Sequence, residues 1–250
     1  MGLVDTAARF ATITFVSKNP IKRVVQKFFG IFGLQISKKP KVTNQTQLWG
    51  TGKLTSMEEN SMEIYDKFYG DRAALEAYYQ GLRMEFYREV VKQLQEHNIP
   101  VDGRSVLDAG CGVGFLLREI ATVFKPSRLS GSDFSEEALV ASRERFPGMA
   151  FFQHDICQPL QEKYDIIICT EVLEHLLEPW KGLQNLREAL NPGGCLVLTV
   201  PEGRKDQLFE HINFWSPESW KAFLERECPA VKSIHSKVVK DIYNFAIVQF

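Results

Sequence analysis

Cysteine is too sparse in this sequence to build a framework. Five thiols stand singly at positions 111, 157, 169, 195 and 228, with no CxxC pair and an odd total. That excludes a disulfide-stapled scaffold or a zinc ribbon and predicts a reducing, cytoplasmic setting. No apolar run approaches the ~18 residues a bilayer-spanning helix needs, so none is predicted. Net charge is also lacking: the chain carries −1 overall, which argues against a general nucleic-acid binder and predicts no DNA partner. Internal repeats and low-complexity tracts are absent, which removes solenoids and disordered arrays.

What is present suits one α/β domain with embellishments. Of 250 residues, 44% are apolar and 24% charged, enough to bury a sizeable core. The balanced charge hides an asymmetry. Residues 1–53 hold nine basic side chains and one acid, leaving 21 basic against 30 acidic in the rest. We therefore divide the chain into a basic leader and linker (1–56), a helical cap (57–100) and a core (101–250). Within the leader, Ile21, Val24, Val25, Phe28 and Phe32 recur at helical spacing opposite Lys22, Arg23 and Lys27. This predicts an amphipathic helix over 20–34, which either packs on its own domain or makes peripheral contact with an anionic membrane.

The cap predicts two helices, 57–69 and 72–97, the second with Leu82, Phe86, Val90 and Leu94 in one stripe. Tyr65, Phe68, Tyr69, Tyr78, Tyr79 and Tyr87 crowd this region as packing or as pocket lining. From residue 104 onward, short β-rich runs alternate with amphipathic stretches. Strands are predicted at 104–109, 128–132, 150–154, 164–169 and 194–200, and helices at 114–124, 135–146, 171–176, 180–190 and 216–227. Two further strands, 231–239 and 243–250, close the chain across a tight turn. This is the pattern of a Rossmann-like doubly wound sheet, mostly parallel with an antiparallel C-terminal strand.

The strongest local signal is the run VLDAGCGVG, residues 106–114. A strand enters a turn whose glycines, 110, 112 and 114, let backbone approach a ligand. The spacing is GxGxG rather than the GxGxxG of a dinucleotide site. Asp108, just before it, would repel a pyrophosphate but suits a cationic ligand. Asp133 follows 19 residues after Gly114, where an acid ending the second strand can accept hydrogen bonds from a ribose diol. Asp155 ends the third strand. Three acids at successive strand ends behind one glycine loop exceed ordinary loop chemistry.

Residues 104–201 resemble the class I S-adenosylmethionine-dependent methyltransferases, through VLDAGCGVG, GSDFS, HDI, YDIIICTEVLEHL and LNPGGCLVLTVP. The resemblance implies S-adenosylmethionine as cofactor. It assigns Asp108, Gly110, Cys111, Gly112 and Gly114 to the methionine portion and Asp133 and Phe134 to the ribose and adenine. Asp155 and Ile156 then flank the adenine, while Thr170 and Glu171 lie near the methionine end. Arg83 resembles an arginine that ubiquinone-type enzymes set against the cofactor carboxylate, and a surface salt bridge is the competing reading.

Glu171, Glu174 and His175 would share a face if their stretch were helical. Two carboxylates and an imidazole at that spacing have the makings of a divalent metal site, for an ion such as Mg. The stretch resembles the ExxEH motif of ubiquinone-pathway O-methyltransferases and of small-RNA 2′-O-methyltransferases, which add a distal histidine; His211 is placed to be it. The competing reading makes His175 or His211 a metal-free general base. The expected activity is methylation of a small molecule on a hydroxyl oxygen. Carbon, nitrogen, sugar or lipid-linked acceptors are alternatives, and the acidic body counts against RNA. A non-catalytic cofactor-binding subunit and a dehydrogenase are the rivals from other classes.

Overall fold

The computed structural model describes residues 60–72, 75, 78–79, 81–208 and 210–250. The expected leader, with its helix over 20–34, lies outside the described residues. Seven strands form one sheet: β1 (Ser105–Ala109), β2 (Arg128–Asp133), β3 (Ala150–Gln153), β4 (Tyr164–Thr170), β5 (Leu190–Pro201), β6 (Ser233–Val239) and β7 (Tyr243–Gln249). Their spatial order is β3-β2-β1-β4-β5-β7-β6. Strands β1 to β5 pair in parallel, and β7 runs antiparallel to both β5 and β6. The Rossmann-like sheet read from the sequence is therefore the sheet observed.

Side-chain alternation shows why helices must cover both faces. Ile166, Ile168, Val197, Phe245 and Ile247 point into one core, with Phe86, Val90, Leu94, Leu116 and Ile120. Their neighbours Ile167, Cys169, Leu196, Leu198, Ala246 and Val248 point into the other, with Leu183, Leu186, Trp220 and Leu224. A strand buried on both sides reads as a continuous apolar run, as IIIC does in β4. The first core is roofed by helices α2 (Leu82–Glu96) and α3 (Phe115–Val123), which follow α1 (Met62–Gly70) of the cap. Helices α5 (Pro179–Glu188) and α6 (Pro217–Glu227) cover the second, and α4 (Glu136–Arg145) connects β2 to β3. No helix among the described residues is long and apolar enough to cross a membrane.

Helix starts follow local chemistry. Ser216 caps α6 by accepting a hydrogen bond from the Ser219 N–H at 3.2 Å, and Pro217 occupies the first turn, where its missing N–H costs nothing. We expect Ser216→Ala to remove about 1 kcal/mol of stability, read as a melting temperature lower by roughly 2–4 °C. An unchanged melting temperature would show the cap to be idle. The β6–β7 hairpin turns through Lys240 and Asp241 at φ 53° and 61°, the paired positive dihedrals of a tight hairpin turn.

Three expectations need correction. The helix drawn over 72–97 is interrupted at Gly81, whose φ of 61° and ψ of −119° are not helical, and α2 begins only at Leu82. Strand β5 starts at Leu190, not at 194, and its register on β4 shifts between Tyr164 and Ile166. The stretch 171–176 is not an α-helix. Glu171 leaves β4 at φ 57°, and only Leu173–His175 closes a single 3₁₀ turn. Its carbonyls are satisfied from outside: Ile212 N–H and Asn213 N–H donate to Glu174 O at 2.9 and 3.0 Å, and Asn213 Nδ2 donates to Leu176 O at 2.6 Å. Pro179 then biases Glu178 away from helical geometry and starts α5.

Candidate active site

The sheet order reverses around β1, which is flanked by β2 and β4, and such a switch point leaves a crevice at the carboxyl ends of the strands. A cavity of about 600 Å³ opens there, within the range of small-molecule sites. Its walls come from the loops after β1, β2, β3, β4 and β5 and from the cap.

The loop after β1 is held by backbone and one carboxylate. Gly110 N–H and Cys111 N–H donate to Ser132 O at 2.7 and 2.9 Å. Gly110 must be glycine: its φ is +80°, and a Cβ would lie 2.3 Å from Val172 Cγ2. Gly112, at φ +52°, faces the hydroxyls of Tyr79 and Tyr69, so cap and loop meet across the cavity. Asp133 ties the loop to β2. Its Oδ2 accepts the Gly112 N–H at 2.9 Å and its Oδ1 accepts the Ser135 N–H at 3.0 Å. Burial pushes Asp133 up to about 6, against the lowering effect of these N–H donors. A carboxylate has about four acceptor sites, more than the backbone N–H groups of Gly112, Ser135 and Phe134 take up, so acceptor capacity remains for a ligand. Phe134, Asp155, Ile156 and Thr170 continue this wall, with Asp155 Oδ1 accepting the Cys157 N–H at 2.9 Å.

The cap supplies aromatic wall and one cation. Ser135 Oγ donates to Asp66 Oδ1, which pins α1 over the end of β2. Tyr65, Tyr69, Tyr78 and Tyr79 line the cavity, and burial raises the pKa of each phenol. Arg83 also lines it. The guanidinium carbon lies 5.2 Å from the ring centres of Tyr78 and Phe86 and 5.4 Å from that of Tyr87. Its Nε is buried without a hydrogen-bond partner among the described residues. This is a cation held by aromatic faces, not a surface salt bridge.

Opposite lies a cluster of acids and imidazoles. Glu174, His175 and His211 bring ligand-type atoms within 4.8 Å of one another. Glu174 is fully buried, and neither carboxylate oxygen has a hydrogen-bond partner among the described residues. Burial raises its pKa well above the usual range, with repulsion from Glu171 adding to it. His175 shifts the other way, driven well below its usual value by burial and next by His211. The two imidazoles meet edge to face, with centroids 4.6 Å apart. His211 Nδ1 lies 2.5 Å from Asp206 Oδ2, with both side chains more than nine-tenths buried. Glu171 lies on the cavity wall but outside this trio; its Oε1 accepts the Thr199 hydroxyl at 2.9 Å, and burial raises its pKa. Of the four residues expected as metal ligands, Glu174, His175 and His211 come together and Glu171 does not, the chain leaving β4 by a left-handed residue instead of a helix.

The structure also places Asp108, Cys111 and Gly114 off the cavity wall. Gly114 caps α3. Cys111 packs with Leu117 and Leu139. Asp108 sits under the loop at 1% exposure, its Oδ1 unpartnered. Burial pushes it up to about 8, Asp133 adds repulsion, and Arg83 opposes them. An unfolded aspartate titrates near ~3.9. The folded state therefore favours the protonated form, and the stability it contributes is full below about pH 4 and lost as pH rises through 8. We expect the melting temperature of ligand-free protein to fall between pH 7 and 9 and Asp108→Asn to flatten that fall. A wild-type slope in Asp108→Asn would remove Asp108 as its cause.

Asp206 and the tyrosine wall were the residues sequence reasoning missed or left undecided. The tyrosines showed as a dense aromatic run, but nothing in their spacing separated lining from packing. Asp206 lies in a segment without a motif, and its only signal is its position five residues before His211.

The methyltransferase domain family matches residues 79–229, and the chain belongs to that family, among the class I S-adenosylmethionine-dependent methyltransferases. It is 32% identical over 105 residues to a malonyl-[acyl-carrier protein] O-methyltransferase from Halalkalibacterium halodurans, covering 39% of each chain. It is 30% identical over 126 residues to a ubiquinone biosynthesis O-methyltransferase from Hydrogenovibrio crunogenus, covering 48% of each. The chain thus spans less than half the length of these curated relatives. A magnesium protoporphyrin IX methyltransferase from Synechocystis PCC 6803, solved with bound SAH, shares the fold. Its TM-score is 0.58 at 18% identity, over 76% of this chain and 99% of its own.

Proposed function

We propose that this protein transfers a methyl group from S-adenosylmethionine to a hydroxyl oxygen of a small-molecule acceptor. The observation that carries the reading is one cavity with two chemistries: the Gly110–Gly112 loop and Asp133 on one side, and the His211–Asp206 pair on another.

The walls fit the cofactor. Asp133 keeps free acceptor sites for a diol, and Phe134 and Ile156 offer apolar surface to a base. Arg83 presents an unpartnered buried Nε to a carboxylate. When bound, S-adenosylmethionine supplies an activated methyl on a sulfonium that departs as a neutral thioether. The protein therefore has little departing charge to stabilise, and its work is alignment and deprotonation. A phenol-like hydroxyl has a pKa near ~10 and needs a base to react fast at neutrality. His211 holds one nitrogen against Asp206, which leaves Nε2 as the proton acceptor. Nε2 would take the proton that the acceptor hydroxyl loses on methylation, so the chain's own part is to hold that oxygen in line and accept its proton. His175, kept neutral by burial, walls the site.

Incubation with methyl-labelled S-adenosylmethionine and a panel of phenols and sugars, catechol first, is expected to place label on oxygen. Label on carbon or nitrogen would overturn the acceptor assignment. The absence of calorimetric heat with S-adenosylhomocysteine would overturn the cofactor.

A second reading is favoured by the unbonded carboxylate of Glu174. Glu174, His175 and His211 have the chemistry of a divalent metal site, which would supply Lewis-acid activation of the acceptor hydroxyl. Titration of the chelator-treated protein with Zn²⁺ or Mn²⁺ tests it. Saturable binding lost in Glu174→Gln supports the site, and no heat with turnover indifferent to chelator rejects it.

A further inference from the structure

Asp206 enters the reaction above only through its contact with His211. It lies in the loop between β5 and α6, and each of its carboxylate oxygens has a different task. Oδ1 accepts the backbone N–H of Leu208 at 3.1 Å, an Asx-type turn within its own loop. Oδ2 faces His211 Nδ1 at 2.5 Å. The loop is braced around this acid: Asp206 N–H donates to Glu202 O at 3.1 Å and Lys205 N–H to the same carbonyl at 2.8 Å. Across the cavity, Asn60 Nδ2 donates to Glu210 O at 2.8 Å, next to His211 in the chain. The Asp206 and His211 side chains are only 4% and 6% exposed, so water does not compete for their contact.

We propose that Asp206 is a positioning residue: it fixes His211 as the tautomer protonated at Nδ1, with the Nε2 lone pair directed into the cavity. This deepens the proposed function and rests on its assignment of His211 as the proton acceptor. An ionised carboxylate is an acceptor only, so the nitrogen facing Oδ2 must carry the proton. A neutral imidazole protonated on Nδ1 is unprotonated on Nε2. The same contact fixes the ring against rotation, the orienting role a buried acid plays beside a catalytic histidine. An asparagine at this position inverts the logic. Its oxygen stays with the Leu208 N–H, which turns the amide NH₂ toward His211. The NH₂ donates, so Nδ1 must accept, and the proton moves to Nε2. The ring keeps its place and loses its ability to take a proton from the acceptor.

The test is a long-range ¹H–¹⁵N spectrum of ¹⁵N-histidine-labelled full-length protein. It is recorded in chelator with saturating S-adenosylhomocysteine at pH 8, with His211→Ala identifying the His211 signals. Wild type is expected to show the Nδ1–H tautomer at His211, and Asp206→Asn the Nε2–H tautomer at little change in melting temperature. A purely structural role for Asp206 predicts no such exchange. If Asp206→Asn does not fold, Asp206→Ala serves, with a mixture of tautomers expected. With catechol as acceptor probe, Asp206→Asn is expected to lower kcat by roughly 10²–10⁴-fold, with KM for S-adenosylmethionine within about threefold. An Nε2–H tautomer in wild type, or one unchanged in Asp206→Asn, overturns the inference. Full turnover in His211→Ala would instead overturn the reading beneath it and leave the tautomer result standing.

Discussion

Asp133→Ala is expected to raise the dissociation constant for S-adenosylhomocysteine by about a hundredfold or more. A hydrogen bond to a charged acceptor contributes ~1.5–3 kcal/mol, and a diol would take two of them. The substitution also orphans two N–H groups, those of Gly112 and Ser135, now held at 2.9 and 3.0 Å. The glycine loop would lose its anchor as well as the ligand its partner. Calorimetry gives the affinity, and the melting temperature of the ligand-free variant separates the two losses. Affinity unchanged within threefold in a folded Asp133→Ala would remove Asp133 from the site.

The same residue gives affinity a pH dependence of definite sign. Burial places Asp133 at about 6, and only its ionised form is a pure acceptor. Binding of S-adenosylhomocysteine should be level above pH 7 and weaken by about tenfold per unit well below 6, as protonation withdraws the carboxylate. Asp133→Asn should abolish that slope. Its amide would face two N–H donors with one oxygen, so it restores shape but not charge.

These expectations show which parts of the molecule a sequence displays. The sheet was legible because its central strands β1, β4, β5 and β7 are buried along most of their length and carry apolar runs, and because Gly110, Gly112 and Asp133 sit at strand ends, where spacing is fixed by the β–α unit. Chain geometry that depends on distant partners was not legible. Glu171, Glu174 and His175 have helical spacing, yet Asn213 and Ile212 claim the carbonyls that a helix would use. The helix expected over 72–97 ran past Gly81, whose positive φ breaks it just before the stripe from Leu82 to Leu94 begins. Asp206 left only a weak trace, five residues before His211: an acid in a loop is ordinary until the fold sets it against an imidazole.

His211→Gln is expected to lower turnover by roughly 10²–10⁴-fold, the span general-base catalysis covers, while leaving affinity for S-adenosylhomocysteine within about threefold. Glutamine keeps a polar side chain against Asp206 but has no nitrogen able to take a proton. His175→Gln should lose far less, on the order of tenfold, because burial and the neighbouring His211 already make His175 a poor base. The asymmetry is the informative result, since both imidazoles line the cavity with centroids 4.6 Å apart, and simple damage to the wall would strike them alike. Equal losses, each matched by loss of Zn²⁺ or Mn²⁺ binding, would transfer both residues to the metal reading. The reverse asymmetry would make His175 the base despite its surroundings, because a weak base can serve only where the geometry gives it the sole approach to the acceptor proton.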